Sequence, residues 1–324
     1  PEHRKLQSAN GNVDILQLLI AAKGWLNATA YKGNESPLYA AAKWDRLEAV
    51  QLLLAAKASL NAGHSTEGRT PVAIATDLGH IDTLRVLIDA KASLNDQTYA
   101  RRTPLSLAIK NDNIEVLKLL VSSKADIEVE CWVEHEMTTP LIYSVTRRTP
   151  DATNVLLNAK ADVDATDELD GEERTPLCVA ALYGATAFVE MLLDAKADIN
   201  KQHPVRNAAM PRFRYRGDHA TVLKLLITAK ADIDKVYGYD GTTPAFMAAK
   251  RNNTDLLSVL VEAKADMNVA NHNGQTPAAL VAAAAKRADA ADANARSREA
   301  KERMMMKRKR SRDRDIRQRS MPWA

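Results

Sequence analysis

Cysteine is nearly absent: the 324-residue chain holds two, Cys131 and Cys178. Two thiols are too few for the disulfide framework of a small secreted domain or for a four-thiolate zinc site, and their scarcity favours a reducing intracellular compartment, cytoplasmic or nuclear. Aromatic residues are also scarce, at four Trp, eight Tyr and three Phe, although apolar residues make up 46% of the chain. The hydrophobic mass is therefore Ala, Leu, Val and Ile, whose small aliphatic side chains suit close-packed helices. Long apolar runs are missing, since the longest, about Ala278 to Ala285, is far below the ~18 residues needed to cross a bilayer. With 12 glycines, most of them in loops, no Gly-rich phosphate-cradling loop occurs. His135-Glu136 begins like a zinc-protease helix, but Thr139 stands where the second histidine belongs, and the seven histidines are scattered without ligand spacing. Neither cysteine has an evident histidine partner for nucleophilic catalysis. These absences predict a non-enzyme with no metal, no cofactor and no catalytic residues.

What the sequence does have is a repeat. Ala-Lys-Ala or a near form recurs with lysines at Lys23, Lys57, Lys91, Lys124, Lys160, Lys196, Lys230 and Lys264, in steps of 34, 34, 33, 36, 36, 34 and 34 residues. A second marker, Thr-Pro or Ser-Pro, places Pro37, Pro71, Pro104, Pro140, Pro176 and Pro244 each 20 residues before a marker lysine. Packed segments keep their length while loops absorb insertions, so the 20-residue block is structure and the remainder is a connection. Within Thr70 to Lys91, Pro71 opens a helix that Gly79 stops, and Ile81, Leu84, Val86, Leu87 and Ile88 pattern a second one. Helices this short are marginal alone in water. Each pair must stack on its neighbours, which defines a solenoid stabilised by nearest-neighbour interfaces.

A period near 33 residues, with Thr-Pro-Leu opening the first helix, Leu-Leu in the second and an Ala-Asp-Ile-Asn-like close, resembles the ankyrin repeat. Thr175-Pro176-Leu177, Gly184, Leu192-Leu193 and Ala197-Asp198-Ile199-Asn200 form the clearest copy. The resemblance implies an all-α ankyrin-repeat solenoid of stacked helix-turn-helix units with loop or hairpin connections over residues 1–285. The predicted units are 1–27 (partial), 28–61, 62–95, 96–128, 129–164, 165–200, 201–234 (divergent), 235–268 and 269–285 (a terminal half-unit). The register enters mid-unit at Gly11, and sequence upstream of Pro1 is expected. Unit 201–234 lacks Thr-Pro and carries Pro211 near the expected helix start, which predicts a short or irregular first helix. Lysine replaces the family's usual glycine after each second helix, where a left-handed backbone is wanted; a cation there compensates by favouring the helix's negative end. Asp126, Asp162, Asp198, Asp232 and Asp266, two residues after their lysines, are expected to offset that row of charge.

The resemblance also implies a concave surface built from loop tips and the exposed side of each first helix. Those places hold Lys32, Lys43, Trp44, Arg69, Tyr99, Arg102, Lys110, Arg147, Arg174, Tyr183, Tyr239, Lys250 and Arg251. Arg and exposed aromatics most often carry interface energy, and the mixture leans basic. The expected function is a non-enzymatic scaffold whose partner is a protein, in particular an acidic or phosphorylated segment, with the chain itself a monomer.

Residues 286–324 differ, with 14 Lys+Arg against 6 Asp+Glu, a net of +8, which leaves −4 for residues 1–285 out of the chain's +4. This basic tail is expected to extend the last helix and then become disordered. Its cluster Lys307, Arg308, Lys309, Arg310, Arg312 and Arg314 resembles a nuclear-localisation or nucleic-acid-binding segment. Two alternatives to the scaffold follow: a nuclear or nucleic-acid-associated adaptor acting through the tail, and the regulatory array of a larger enzyme or channel.

Overall fold

The computed structural model describes residues 17, 20, 26–27, 35–63, 67–133, 136–169, 172–209, 217–238 and 240–319. The chain divides into two compact units, Pro1–Asp232 and Ile233–Ala324.

In the first unit the described helices come in pairs: α1 (Pro37–Lys43) with α2 (Leu47–Ala55), α3 (Pro71–Leu78) with α4 (Ile81–Asp89), and α5 (Pro104–Lys110) with α6 (Ile114–Ser122). A hairpin of β1 (Cys131–Val133) and β2 (Glu136–Thr138) then precedes α7 (Pro140–Arg147) and α8 (Pro150–Asn158). A second hairpin, β3 (Asp167–Leu169) and β4 (Glu172–Arg174), precedes α9 (Pro176–Leu182) and α10 (Thr186–Asp194). The short α11 (Pro204–Ala208) and α12 (His219–Thr228) follow. First helices pack on first helices and second on second along the unit, giving two helical layers.

The start of each first helix is set by three residues of sequence. The hydroxyl of Ser36, Thr70, Thr103, Thr139 or Thr175 accepts a hydrogen bond from the backbone N–H three residues on, at 3.1–3.4 Å, and proline takes the next position, where its missing N–H costs nothing. These helices lie deep: every residue of Pro176–Leu182 and of Pro104–Ile109 is buried. Only their last turns and the residues just beyond reach solvent, a narrower surface than the exposed helix side that the sequence predicts. Second helices bury one stripe, such as Val116, Leu117 and Leu120 of α6.

Each second helix ends as the lysine substitution predicts. All the described marker lysines, Lys57, Lys91, Lys124, Lys160, Lys196, Lys230 and Lys264, have left-handed backbones, with φ between 61° and 70°. The N–H after the lysine reaches back five residues, as in Ala161 to Leu156 O at 3.1 Å, closing a Schellman turn. The aspartates two residues on do something the sequence reading does not anticipate. The carboxylates of Asp126, Asp162, Asp198 and Asp266 accept from the backbone two residues later, as Asp162 does from Asp164 N–H at 3.0 Å, so they close local turns.

A side-chain ladder then links neighbouring repeats. Asn61, Asn95, Glu128, Asp164 and Asn200, each four residues past a marker lysine, accept from the backbone N–H two residues past the next lysine, at 2.9–3.2 Å. This is the physical role of the final Asn or Asp in each copy.

The first helix of the divergent repeat is short, as predicted, but it begins elsewhere. Its first helix, α11, has five residues and opens at Pro204, not near Pro211. Pro204 precedes Lys230 by 26 residues rather than the usual 20, and Pro204, Val205 and Ala208 are buried where α11 packs on α9. His203 stands in the place of the capping threonine with φ 68° and makes no side-chain cap. Pro211, like Gly11 in the partial first repeat, lies outside the described residues.

The second unit holds α13 (Pro244–Lys250) and α14 (Thr254–Glu262), capped by Thr243 and Asn253. Asp234 continues the ladder there by accepting from Asp266 N–H at 2.9 Å. The final helix, α15 (Pro277–Arg319), packs against α13 at its start and runs on past Lys286 to Arg319. No described helix is long and apolar enough to cross a membrane.

Candidate partner-binding surface

Because first helices are buried up to their last turn, the polar residues at those ends from successive repeats stand side by side. In the first unit they form a row whose members are bonded to one another from Arg69 to Arg147. Lys43 Nζ lies 2.8 Å from Glu35 Oε1 and 5.6 Å from the centroid of the Trp44 ring, which is 53% exposed. One repeat on, Arg69 bonds Glu67 at 2.9 Å and Asp77 at 3.0 Å. Asp77 in turn lies 3.9 Å from Lys110 and accepts from Asn111 Nδ2 at 2.9 Å. Arg147 Nη2 donates to the Lys110 carbonyl at 3.3 Å. Sequence spacing thus brings Lys43, Trp44, Arg69, Lys110 and Arg147 onto one surface.

The row changes character along its length. Lys43 and Arg69 are engaged by carboxylates, whereas among the described residues no carboxylate pairs with Arg101, Arg102 or Arg147. Tyr99, 71% exposed, stands on the loop ahead of Arg101 and Arg102, its N–H held by Glu67 O at 2.9 Å.

Two of the residues expected on this surface are inside it. Arg174 is 2% exposed because β4 turns it inward, opposite Asp167 in the hairpin register. Tyr183 is covered by Arg148, whose guanidinium sits 5.8 Å from the ring centroid and donates to the Tyr183 carbonyl at 3.1 Å. Arg148 itself, which the sequence reading passes over, is exposed and has a left-handed backbone, φ 58°, at the position Gly79 and Gly184 fill in other repeats.

Lys250 and Arg251 are exposed at the end of α13 in the second unit. Lys32 and Tyr239 lie outside the described residues. Lys307 is exposed on α15; the backbone of Arg308, Lys309, Arg310, Arg312 and Arg314 continues that helix, while their side chains lie outside the described residues.

Both cysteines are buried, which disfavours their thiolates. Cys131 is the first residue of β1, and burial pushes its thiol up to about 12. Burial likewise raises Cys178 to about 11, and its Sγ donates to the Gln202 carbonyl at 2.8 Å. Among the described residues no group of three His, Cys, Asp or Glu is placed to hold a metal ion; His135 lies outside them.

A stack of helix pairs joined repeat to repeat, with polar residues gathered at the first-helix ends, defines a helical repeat solenoid. A family model described as ankyrin repeats matches residues 59–131, 128–203 and 208–293, and a single-repeat ankyrin model matches 33–65. The chain belongs to the ankyrin repeat family. A comparison with curated proteins gives no match. Ankyrin repeats are, in general, protein–protein interaction modules and typically non-catalytic.

Proposed function

We propose that this chain is a non-enzymatic scaffold that holds an acidic or phosphorylated polypeptide segment along the first-helix ends of its first unit. The observation behind this reading is that Arg101, Arg102 and Arg147 have no carboxylate partner among the described residues, with exposed Tyr99 on the loop just ahead of the first two. Guanidinium groups bind carboxylate and phosphate in bidentate geometry, and a rigid frame limits the ordering cost of binding. Lys43 and Arg69 contribute less, because the partner must compete with Glu35, Glu67 and Asp77 for them. The test is fluorescence anisotropy with a labelled Glu- and phosphoserine-rich peptide. Arg102→Glu with Arg147→Glu is expected to weaken binding at least tenfold, a loss of about 1.4 kcal/mol or more, and added salt to weaken the wild type. Unchanged binding by the double variant rules the reading out. Arg174 is unsuitable for this test, since reversing a buried charge perturbs folding.

A second reading rests on α15, where the residues from Arg287 to Lys307 are exposed throughout. A basic helix of this kind binds nucleic-acid phosphates with steep salt dependence. Deleting 286–324 is expected to abolish such binding.

A further inference from the structure

The two hairpins of the first unit lie side by side, β2 against β3, and between them is a cleft of about 580 Å³. Its lining includes the carboxylates of Glu130, Asp167, Glu168 and Glu173 together with Trp132 and Met137. This is the opposite sign from Arg101, Arg102 and Arg147, of which Arg101 adjoins the cleft, its guanidinium donating to Met137 Sδ at 3.9 Å and its carbonyl accepting from Trp132 N–H at 3.1 Å.

Acidic surface alone identifies nothing, but Asp167 is more than surface. It is 7% exposed, and its Oδ1 has no hydrogen-bond partner. A buried carboxylate oxygen left unsatisfied carries its full desolvation penalty. Thr138 and the Thr139 backbone contact the carboxyl, Glu130 adds like charge, and Arg174 stands opposite in the hairpin register. Even so, burial pushes the Asp167 carboxyl up to about 7. Arg101 beside Met137 and Arg174 across the hairpin do not offset that burial. In the same cleft Trp132 is 40% exposed, a large aromatic left open to solvent.

Carboxylates beside an open indole suit an organic cation. A metal ion prefers three or more hard or ligating groups converging on one point, and among the described residues none do. An arginine fits both features, since its planar guanidinium forks onto carboxylates and stacks on an indole face. We propose that this cleft is a docking site for an arginine side chain of a basic polypeptide segment, with Asp167 and Glu168 as its counter-charges and Trp132 as its stacking surface. The docking site does not require the acidic-partner reading, because Arg101, Arg102 and Arg147 are outside its lining, although Arg101 adjoins it.

The test uses the full chain and a fluorescein-labelled peptide, Gly-Ser-Arg-Gly-Arg-Ser-Gly, with citrulline in place of both arginines as a neutral isostere. The arginine peptide is expected to bind at least tenfold more tightly than the citrulline peptide. Trp132→Ala, Glu168→Gln and Asp167→Asn are each expected to weaken it three- to tenfold. Glu190→Gln removes the same charge from exposed surface on α10 and is expected to change affinity less than twofold. Wild-type affinity rises from pH 6 to pH 8 as Asp167 ionises, and Asp167→Asn flattens that rise. The charged groups around Asp167 in this comparison are Glu130, Glu168, Glu173, which accepts from Gln202 Nε2 at 2.8 Å, Arg174, Arg101 against Met137 and Arg102 near Cys131. Thermal melts separate folding defects from binding defects, and exposed Glu168 and Trp132 keep the test open if Asp167→Asn destabilises the chain. Equal losses for Glu190→Gln and Glu168→Gln, or equal binding of the citrulline peptide, overturn the proposal. Arg147→Glu alters a side chain held at the Lys110 carbonyl, outside the lining, and leaves this docking intact, so its failure and that of the acidic-segment reading are read separately.

Discussion

A lysine in the left-handed region is an unusual choice, and this chain makes it at every described second-helix end. Glycine adopts φ near +65° freely, whereas a residue with a Cβ gives up about 1 kcal/mol there. The lysine side chains are exposed, so packing does not explain them; a cation near the last carbonyls returns ~0.3–1 kcal/mol. The two contributions separate experimentally at Lys160, where φ is 70°. Replacing it with Ala or with Gly removes the charge in both cases, but only Gly relieves the backbone. Lys160→Gly is expected to exceed Lys160→Ala by about 1 kcal/mol in urea unfolding. Equal stabilities would mean that the left-handed turn stores no strain at this position.

Among the elements, first helices were the most legible, because their capping hydroxyl and proline are local signals and their 20-residue distance to the lysine is constant. That rule misplaced the start of α11, since the divergent repeat puts its insertion inside the normally rigid block. The hairpins left a fainter trace. The two 36-residue steps, Lys124 to Lys160 and Lys160 to Lys196, are the repeats that carry β1–β2 and β3–β4, and the longer connections supply their strands. The helix beyond Lys286 is a different kind of element. Val281, Ala284, Ala285 and Ala288 line a groove with α13 and α14, but from Arg287 to Lys307 α15 is exposed on all sides. Its helicity there depends on Ala, Arg, Lys and Glu propensity, which is marginal without packing. Deleting residues 289–324 is expected to lower the far-UV helical signal while moving the cooperative melting temperature by less than ~1 °C. A drop of several degrees would show that the distal helix is packed.

At the scale of the molecule, the chain's net charge of +4 describes no part of it, since −4 belongs to the repeats and +8 to residues 286–324. The same averaging hid the candidate sites. Exposed Arg147 and half-buried Arg102 were legible because their register within the repeat is fixed, but Arg174 at an equivalent loop position turns inward. Asp167 gave no signal at all, because its burial arises from two hairpins 36 residues apart meeting in space. Linear architecture also governs how damage spreads. Each described pair in the first unit packs on its immediate neighbours and is tied to them by the Asn/Asp ladder, so stability is a sum of local and nearest-neighbour contributions. Leu141 of α7 is 1% exposed, and Leu141→Ala is expected to cost about 2–5 kcal/mol. Hydrogen exchange should show that loss concentrated in α5 through α10, with the amides of α1 and α2 keeping most of their protection. A uniform loss across the first unit would instead mean that it opens all at once, and that coupling between repeats exceeds the stability of any one of them.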